Sequence, residues 1–180
     1  MPNYGKPVFS KSEIQKRVSE LGEKISKDYR GEELLLVGVM KGAFIFMADL
    51  ARAIHIPVSI DYIGLSAFHS RSKGRGAVRI SSDLNENISG KNVLIVEDII
   101  NSGLTMAYVV NNLKAREPKS IRVCTLFDKA DKRRNDFRPD YVGFPIPNIY
   151  IVGYGMDYKD QYRNLPYIAT LGDDQETPVK

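Results

Sequence analysis

Cysteine occurs once in these 180 residues, at Cys124, and histidine twice. A single thiol excludes an internal disulfide and a Cys-rich zinc site, leaving only an intermolecular bridge open to it. His55 and His69 stand in no metal-ligand spacing. Long apolar runs are missing too. The richest stretch, Leu34 to Met40, is stopped by Lys41, which excludes a bilayer-spanning helix. The opening residues, Met1-Pro2-Asn3-Tyr4-Gly5-Lys6, lack the apolar centre of a signal peptide, so a reduced, soluble, cytoplasmic protein without a membrane partner is expected. No repeat, low-complexity tract or linker interrupts the chain, and its length suits one domain over residues 1–180. Lys41-Gly42 lacks the preceding glycine spacing of a P-loop, and Gly153-Tyr154-Gly155 lacks the third glycine of a dinucleotide fingerprint.

What is present is an ordinary globular mixture, 43% hydrophobic and 27% charged, with a net charge of +4. So modest an excess suits an anionic small molecule as well as a nucleic acid. Two basic clusters, Arg71, Lys73, Arg75, Arg79 and Lys129, Lys132, Arg133, Arg134, read first as solvated loop surface.

Ser10-Lys11-Ser12-Glu13 fits a capping box, and behind it Ile14, Val18, Leu21 and Ile25 recur on one face of a helix. Leu34–Met40, Asn92–Val96 and Ile121–Phe127 are short continuous apolar runs, as expected of strands covered on both faces. A helical pattern over Gly42–Ile54 and another carrying Leu104, Tyr108 and Leu113 on its inner side separate them, with a β-rich stretch from Pro57 to Phe68. The alternation predicts an α/β fold with a central parallel sheet flanked by helices. In such sheets ligands bind beyond the carboxyl ends of the strands. Met40-Lys41-Gly42, Glu97-Asp98 and Asp128-Lys129 fall at those ends and should share one rim.

The segment Val93-Leu94-Ile95-Val96-Glu97-Asp98-Ile99-Ile100-Asn101-Ser102-Gly103-Leu104-Thr105 carries the chemistry. Free amides and hydroxyls between a strand and the first turn of a helix form an anion site suited to a phosphate monoester. Two carboxylates just ahead of it would repel a bare phosphate but suit hydroxyls or a cation. Neighbouring strand residues face opposite ways, so Glu97 and Asp98 are expected to divide the work. A phosphate with a hydroxyl-bearing sugar beside it fits both halves.

This segment resembles the phosphoribosyl-pyrophosphate signature of the type I phosphoribosyltransferases, in the form used by the hypoxanthine-guanine enzymes. The resemblance covers nearly the whole chain. Leu36–Ala43 is similar to the family's pyrophosphate loop, and Asp140–Phe144 with Tyr150–Tyr158 to its purine-binding hood, for which about 1–12 and 140–180 are expected. It implies transfer of ribose 5-phosphate from phosphoribosyl pyrophosphate to a 6-oxopurine, with magnesium. By the same resemblance Glu97 and Asp98 hold the ribose diol and the metal, Asp157 meets a second magnesium, and Asn101, Ser102, Gly103, Leu104 and Thr105 hold the 5′-phosphate. Backbone amides at Lys41 and Gly42, with Arg163, bind pyrophosphate. Lys129 donates to the purine 6-oxygen, Tyr150 stacks on the base, and the Ile151 carbonyl meets a 2-amino group. Ser70 to Gly76 matches a flexible lid. A homodimer or homotetramer is implied, and nucleic acid is not the expected partner.

The sequence departs from this pattern twice. Asn101 stands where the family carries an Asp that holds the proton on purine N7, and an amide is not a base. A slower transferase whose substrate ionises before binding, an altered copy and a protein that binds nucleotide without turnover all fit that change. The lid begins Ser66-Ala67-Phe68 in place of a Ser-Tyr pair. Alternatives are a regulator on the same fold that binds nucleotide and nucleic acid, and a transferase for xanthine or adenine. Lys129 disfavours adenine only.

Overall fold

The computed structural model describes residues 4–68 and 77–171. Thirteen elements follow in chain order: β1 (Tyr4–Phe9), α1 (Lys11–Asp28), β2 (Leu34–Met40), α2 (Phe44–Ala53), β3 (Val58–Phe68), β4 (Ala77–Ser82), β5 (Asn92–Ile100), α3 (Leu104–Lys114), β6 (Ser120–Asp128), a 3-10 turn (Ala130–Lys132), β7 (Tyr141–Pro145), β8 (Ile151–Val152) and β9 (Ile168–Leu171). Six strands form one sheet in the order β4-β3-β2-β5-β6-β7. All its pairings are parallel except β3 with β4, so the expected architecture is the one observed.

Strand alternation builds two apolar layers. Leu34, Leu36, Leu94 and Val96 turn to one face, where they meet Ile14, Val18, Leu21 and Ile25 of α1 and Phe46, Met47 and Leu50 of α2. Leu35, Val37, Val93 and Ile95 turn to the other and meet Met106, Val109, Val110 and Leu113 of α3. The capping box forms as expected. Ser10 N donates to Glu13 Oε2 at 2.8 Å, and Glu13 N donates to Ser10 Oγ at 3.3 Å.

Three local expectations are corrected. The inner face of α3 is Met106, Val109, Val110 and Leu113, a spacing of three, one and three, whereas Leu104 and Tyr108 are exposed. Strand β5 runs on through Ile100 instead of stopping at Glu97-Asp98, because β6 continues alongside it, pairing Ile99 with Phe127 and Ile100 with Asp128. Tyr141–Pro145, grouped with the hood by resemblance, is the last strand of the large sheet, paired with β6. A separate three-stranded antiparallel sheet, β1-β9-β8, joins residues from near the two ends of the chain.

Candidate active site

Because β5 extends to Ile100, Glu97 and Asp98 lie inside the strand and are buried, 9% and 7% exposed. Asp98 N donates to Glu97 Oε1 at 3.1 Å, and Ile99 N to Asp98 Oδ1 at 2.7 Å. Burial, and then the Asp98 carboxyl packed against it, pushes the Glu97 carboxyl well above the usual carboxylate range. Asp98 is raised as well, by burial, against the opposing pull of hydrogen bonds and of the nearby Arg163 guanidinium. Neighbouring positions on the strand thus bring their carboxyls together, where strand alternation predicts opposite faces. Two adjacent buried acids supply oxygen ligands of the kind a hard cation takes, and they accept hydrogen bonds from hydroxyls equally well. Among the described residues no cluster of three or more His, Cys, Asp or Glu side chains forms a closed metal cage. An ion here would take remaining oxygens from its ligand, as magnesium commonly does.

The pyrophosphate loop by resemblance comes directly onto this pair. A Cβ at Gly42 would stand 2.6 Å from Asp98 Cγ, so only glycine lets the 40–43 segment close over the carboxylate. The Met40–Lys41 peptide bond is cis. Gly155 lies against the Gly42 carbonyl. Beyond it, Arg163 Nη1 donates to the Gly155 carbonyl at 2.6 Å and Nη2 pairs with Asp157 Oδ1 at 2.7 Å. Lys41 Nζ pairs with Asp160 Oδ2 at 3.0 Å, and Asp160 also accepts from Arg163. The Lys41 ammonium, and next to it Arg163, hold the Asp160 carboxyl below its ordinary range. Lys41, Gly42, Glu97, Asp98, Asp157 and Arg163 are therefore brought to one place.

On the other side of Asp98 the chain turns through Asn101-Ser102-Gly103 into α3. Gly103 caps the helix at φ +77°, a left-handed conformation that a Cβ would strain. The first intrahelical bond is Ala107 N to Gly103 O at 2.9 Å, so the amides ahead of it have no acceptor within the helix, and Leu104 N leans on Ser102 Oγ at 3.4 Å. With the positive end of the helix dipole behind them, these amides can hold a dianion. The Leu104 side chain is exposed, and its amide is among those facing the turn.

The 128–135 segment supports this turn. Lys129 is 7% exposed, and its N donates to Ile100 O at 2.9 Å. Burial first, and Lys132 second, hold the Lys129 ammonium below its usual range. The side chain of Arg133 is buried as well, paired with Asp128, and donates from Nη1 to Asn101 O at 2.7 Å. The reading of this basic cluster as solvated surface therefore fails for Lys129 and Arg133, although Lys132 and Arg134 are exposed. Tyr150 donates from its hydroxyl to the Asp157 carbonyl at 2.9 Å and meets Tyr158 edge-on at 5.9 Å. Ile151 is buried at the start of β8. Sequence reasoning put Asp128 on the rim without its pairing to Arg133, read Arg133 as surface, and missed Asn135 and Asp160. An acid just before Lys129 with an arginine five residues after it was the available signal for that pairing. The expected lid, Ser70 to Gly76, lies outside the described residues, as does the side chain of Phe68. His55 is exposed.

Comparison with known proteins agrees with this geometry. Residues 8–159 match the phosphoribosyl transferase domain family. The chain is 46% identical to the hypoxanthine-guanine phosphoribosyltransferase of Mycobacterium tuberculosis, covering 91% of this chain and 84% of that protein. It is also 46% identical to the hypoxanthine phosphoribosyltransferase of Salmonella typhimurium, covering 91% and 93%. Among solved structures, a hypoxanthine phosphoribosyltransferase from Staphylococcus aureus superposes with a TM-score of 0.89 at 40% identity, covering 94% of this chain and 92% of that one. With a family match over residues 8–159 and relatives 46% identical across most of the chain, the chain belongs to the phosphoribosyl transferase family.

Proposed function

We propose that the protein is a purine salvage transferase. It moves the 5-phosphoribosyl group from phosphoribosyl pyrophosphate to hypoxanthine or guanine, giving IMP or GMP and pyrophosphate. The observation that carries this reading is the buried Glu97–Asp98 pair, flanked by the amide-rich turn at 101–105 and closed on the other side by Gly42 and Arg163. That layout suits a ligand with a sugar diol in the middle, a phosphate at one end and a diphosphate at the other.

In this reading Glu97 and Asp98 accept the ribose hydroxyls. Asn101, Ser102, Gly103, Leu104 and Thr105 hold the 5′-phosphate, and the Lys41 and Gly42 amides with Arg163 hold the diphosphate. Lys129 donates to the purine 6-oxygen, which favours hypoxanthine, guanine or xanthine over adenine. Tyr150 covers the face of the base, the Ile151 carbonyl receives a 2-amino group, and Asp157 closes the purine side. The C1′–oxygen bond to pyrophosphate breaks and the N9–C1′ bond forms. The purine imidazole proton leaves to solvent, since the Asn101 amide can hydrogen-bond to N7 but cannot take the proton. Glu97, Asp98 and Asp157 fit magnesium, which when bound neutralises the growing charge on the departing diphosphate.

The whole chain acts as one catalytic unit, with the β1-β9-β8 sheet as the core of the hood. We further propose a homo-oligomer. Phe44 is 63% exposed at the start of α2, and Ile60 and Tyr62 on β3 are 55% and 45% exposed. In register with Leu36 and Gly38, those two strand residues face the same side as α2. A cytoplasmic location is consistent with a described chain in which no helix is long and apolar enough to cross a membrane.

A steady-state assay with phosphoribosyl pyrophosphate and each of hypoxanthine, guanine, xanthine and adenine, with and without magnesium, tests the proposal. IMP or GMP formed only with magnesium is expected. Preference for xanthine would move the base assignment. No nucleotide from any base, together with a salt-sensitive complex with RNA or DNA, would replace the enzyme with a regulator.

A further inference from the structure

Four consecutive carbonyls at the end of β5 and in the turn after it accept hydrogen bonds from one short segment. Ile100 O accepts from Lys129 N at 2.9 Å, and Asn101 O from Arg133 Nη1 at 2.7 Å. Ser102 O accepts from Arg134 N at 3.0 Å, and Gly103 O from Asn135 Nδ2 at 3.2 Å. In a trans peptide the carbonyl and the following amide point opposite ways. Pinning the oxygens of residues 101 to 103 toward the 129–135 segment therefore turns the amides of 102 to 104 away from it, toward the anion site. One side chain in this set reaches further. The second nitrogen of the Arg133 fork pairs with Asp128, the residue before Lys129, and the arginine side chain is only 5% exposed. Its Cδ also fills the space where a Cβ on Gly103 would stand, at 2.7 Å. Among the described residues Arg133 Nε is buried without a hydrogen-bond partner, a cost the fold accepts to keep the guanidinium in place.

We propose that Arg133 is a positioning residue that ties the purine-reading loop to the phosphate-binding turn, so that base and 5′-phosphate bind cooperatively. The inference rests on the transferase reading above. Arg133 touches neither group. It fixes the carbonyl of Asn101 and the carboxylate of Asp128, and any shift at one end is passed through a rigid, planar fork to the other. Coupling of this kind is reciprocal: a purine on Lys129 tightens phosphate binding by the factor with which phosphate tightens purine binding.

The test is calorimetric titration, with magnesium present, of the full chain and of Arg133→Gln, Arg133→Lys and Asp128→Asn. The ligands are IMP, ribose 5-phosphate with and without saturating hypoxanthine, and pyrophosphate. In the wild type hypoxanthine should raise ribose 5-phosphate affinity by about fivefold or more. In each variant that enhancement should vanish and IMP binding should weaken about tenfold, with pyrophosphate affinity unchanged. Arg133→Lys keeps a charge for Asp128 but lacks the fork, so it should retain thermal stability without the coupling. It carries the test should Arg133→Gln not fold. Retained coupling in the variants, an equal loss of pyrophosphate binding, or no coupling in the wild type would overturn the inference alone. Failure of the wild type to bind IMP at all would overturn the transferase reading and this inference with it.

Discussion

The site has two halves that are held by different means. From Glu97 to Thr105 the chain is a strand, a turn and a helix start, and the carbonyls of residues 100 to 103 are held by two main-chain and two side-chain donors of the 129–135 segment. From Asp157 to Arg163 it is an irregular loop in which Lys159, Asp160 and Tyr162 all adopt positive φ. There the contacts are ion pairs between partly exposed side chains, with Lys41 and Asp160 71% and 62% exposed. The first half is stiff before any ligand arrives. The second already balances its cations against Asp157 and Asp160, so under the proposed function a diphosphate there competes with the protein's own carboxylates. Preorganisation belongs where the bond to C1′ is made and broken, and exchangeable ion pairs belong where a charged product must leave.

Substitutions on the two sides should differ in size and in kind. The largest effect is expected for Glu97→Gln with Asp98→Asn, a fall in kcat of about 10³-fold, on the scale of removing charge aimed at a transition state. The same double change removes two ionisable groups held in a buried, like-charged pair. Thermal denaturation at pH 7 should therefore show the ligand-free variant at least as stable as the wild type. A clear loss of stability would show that the pair is structural.

Next in size is Asn101→Asp, which should raise hypoxanthine turnover by about 10²-fold, the lower end of what a general base supplies, with the gain growing as pH rises through the new carboxyl's pKa. No gain across the pH profile would remove proton transfer from the account of this position.

On the exposed half, Asp160→Asn should free Lys41 and leave Arg163 with Asp157 as its one carboxylate partner, lowering the KM for phosphoribosyl pyrophosphate by no more than a few-fold, because exposed ion pairs are weak. A raised KM would mean that Asp160 orients those cations and does not compete for them.

The smallest effect on catalysis is expected at Asp61. This buried β3 carboxylate accepts from Asn85 N at 2.7 Å and Glu86 N at 2.9 Å, away from both halves. Burial alone would raise its pKa, but these and neighbouring hydrogen bonds outweigh that and lower it. A depressed pKa gives stability that is present above the unfolded value, near pH 4, and lost as pH falls through the folded one. Asp61→Asn should cost about 2 kcal/mol at pH 7, the scale of hydrogen bonds to a charged acceptor, and should remove this share of the acid dependence while leaving kcat unchanged.

The same contrast explains what could be read from the sequence. The 97–105 half was legible because its geometry is local. Apolar runs of strand length, an acid pair, small polar residues and Gly103 in order leave few ways to fold. Even so, adjacent positions did not reveal that Glu97 and Asp98 bring their carboxyls together, since the extension of β5 past them depends on β6 staying beside it. The pairing of Lys41 with Asp160, across more than a hundred residues, has no local signal at all. Nor has the burial of the Arg133 side chain: in the run Lys132-Arg133-Arg134, only the partner Asp128 and the carbonyl of Asn101 distinguish it from its solvated neighbours. The exposed side of α3 was misread because Leu104 and Tyr108 are apolar, whereas the face is decided by where Met106, Val109 and Leu113 meet the sheet.

The most direct measurement is a crystal structure of the protein with magnesium and a non-reactive analogue of phosphoribosyl pyrophosphate. The account predicts the ribose diol on Glu97 and Asp98 and the 5′-phosphate among the amides of residues 102 to 105. A sugar ring turned away from both carboxylates, or a phosphate seated elsewhere, would contradict it.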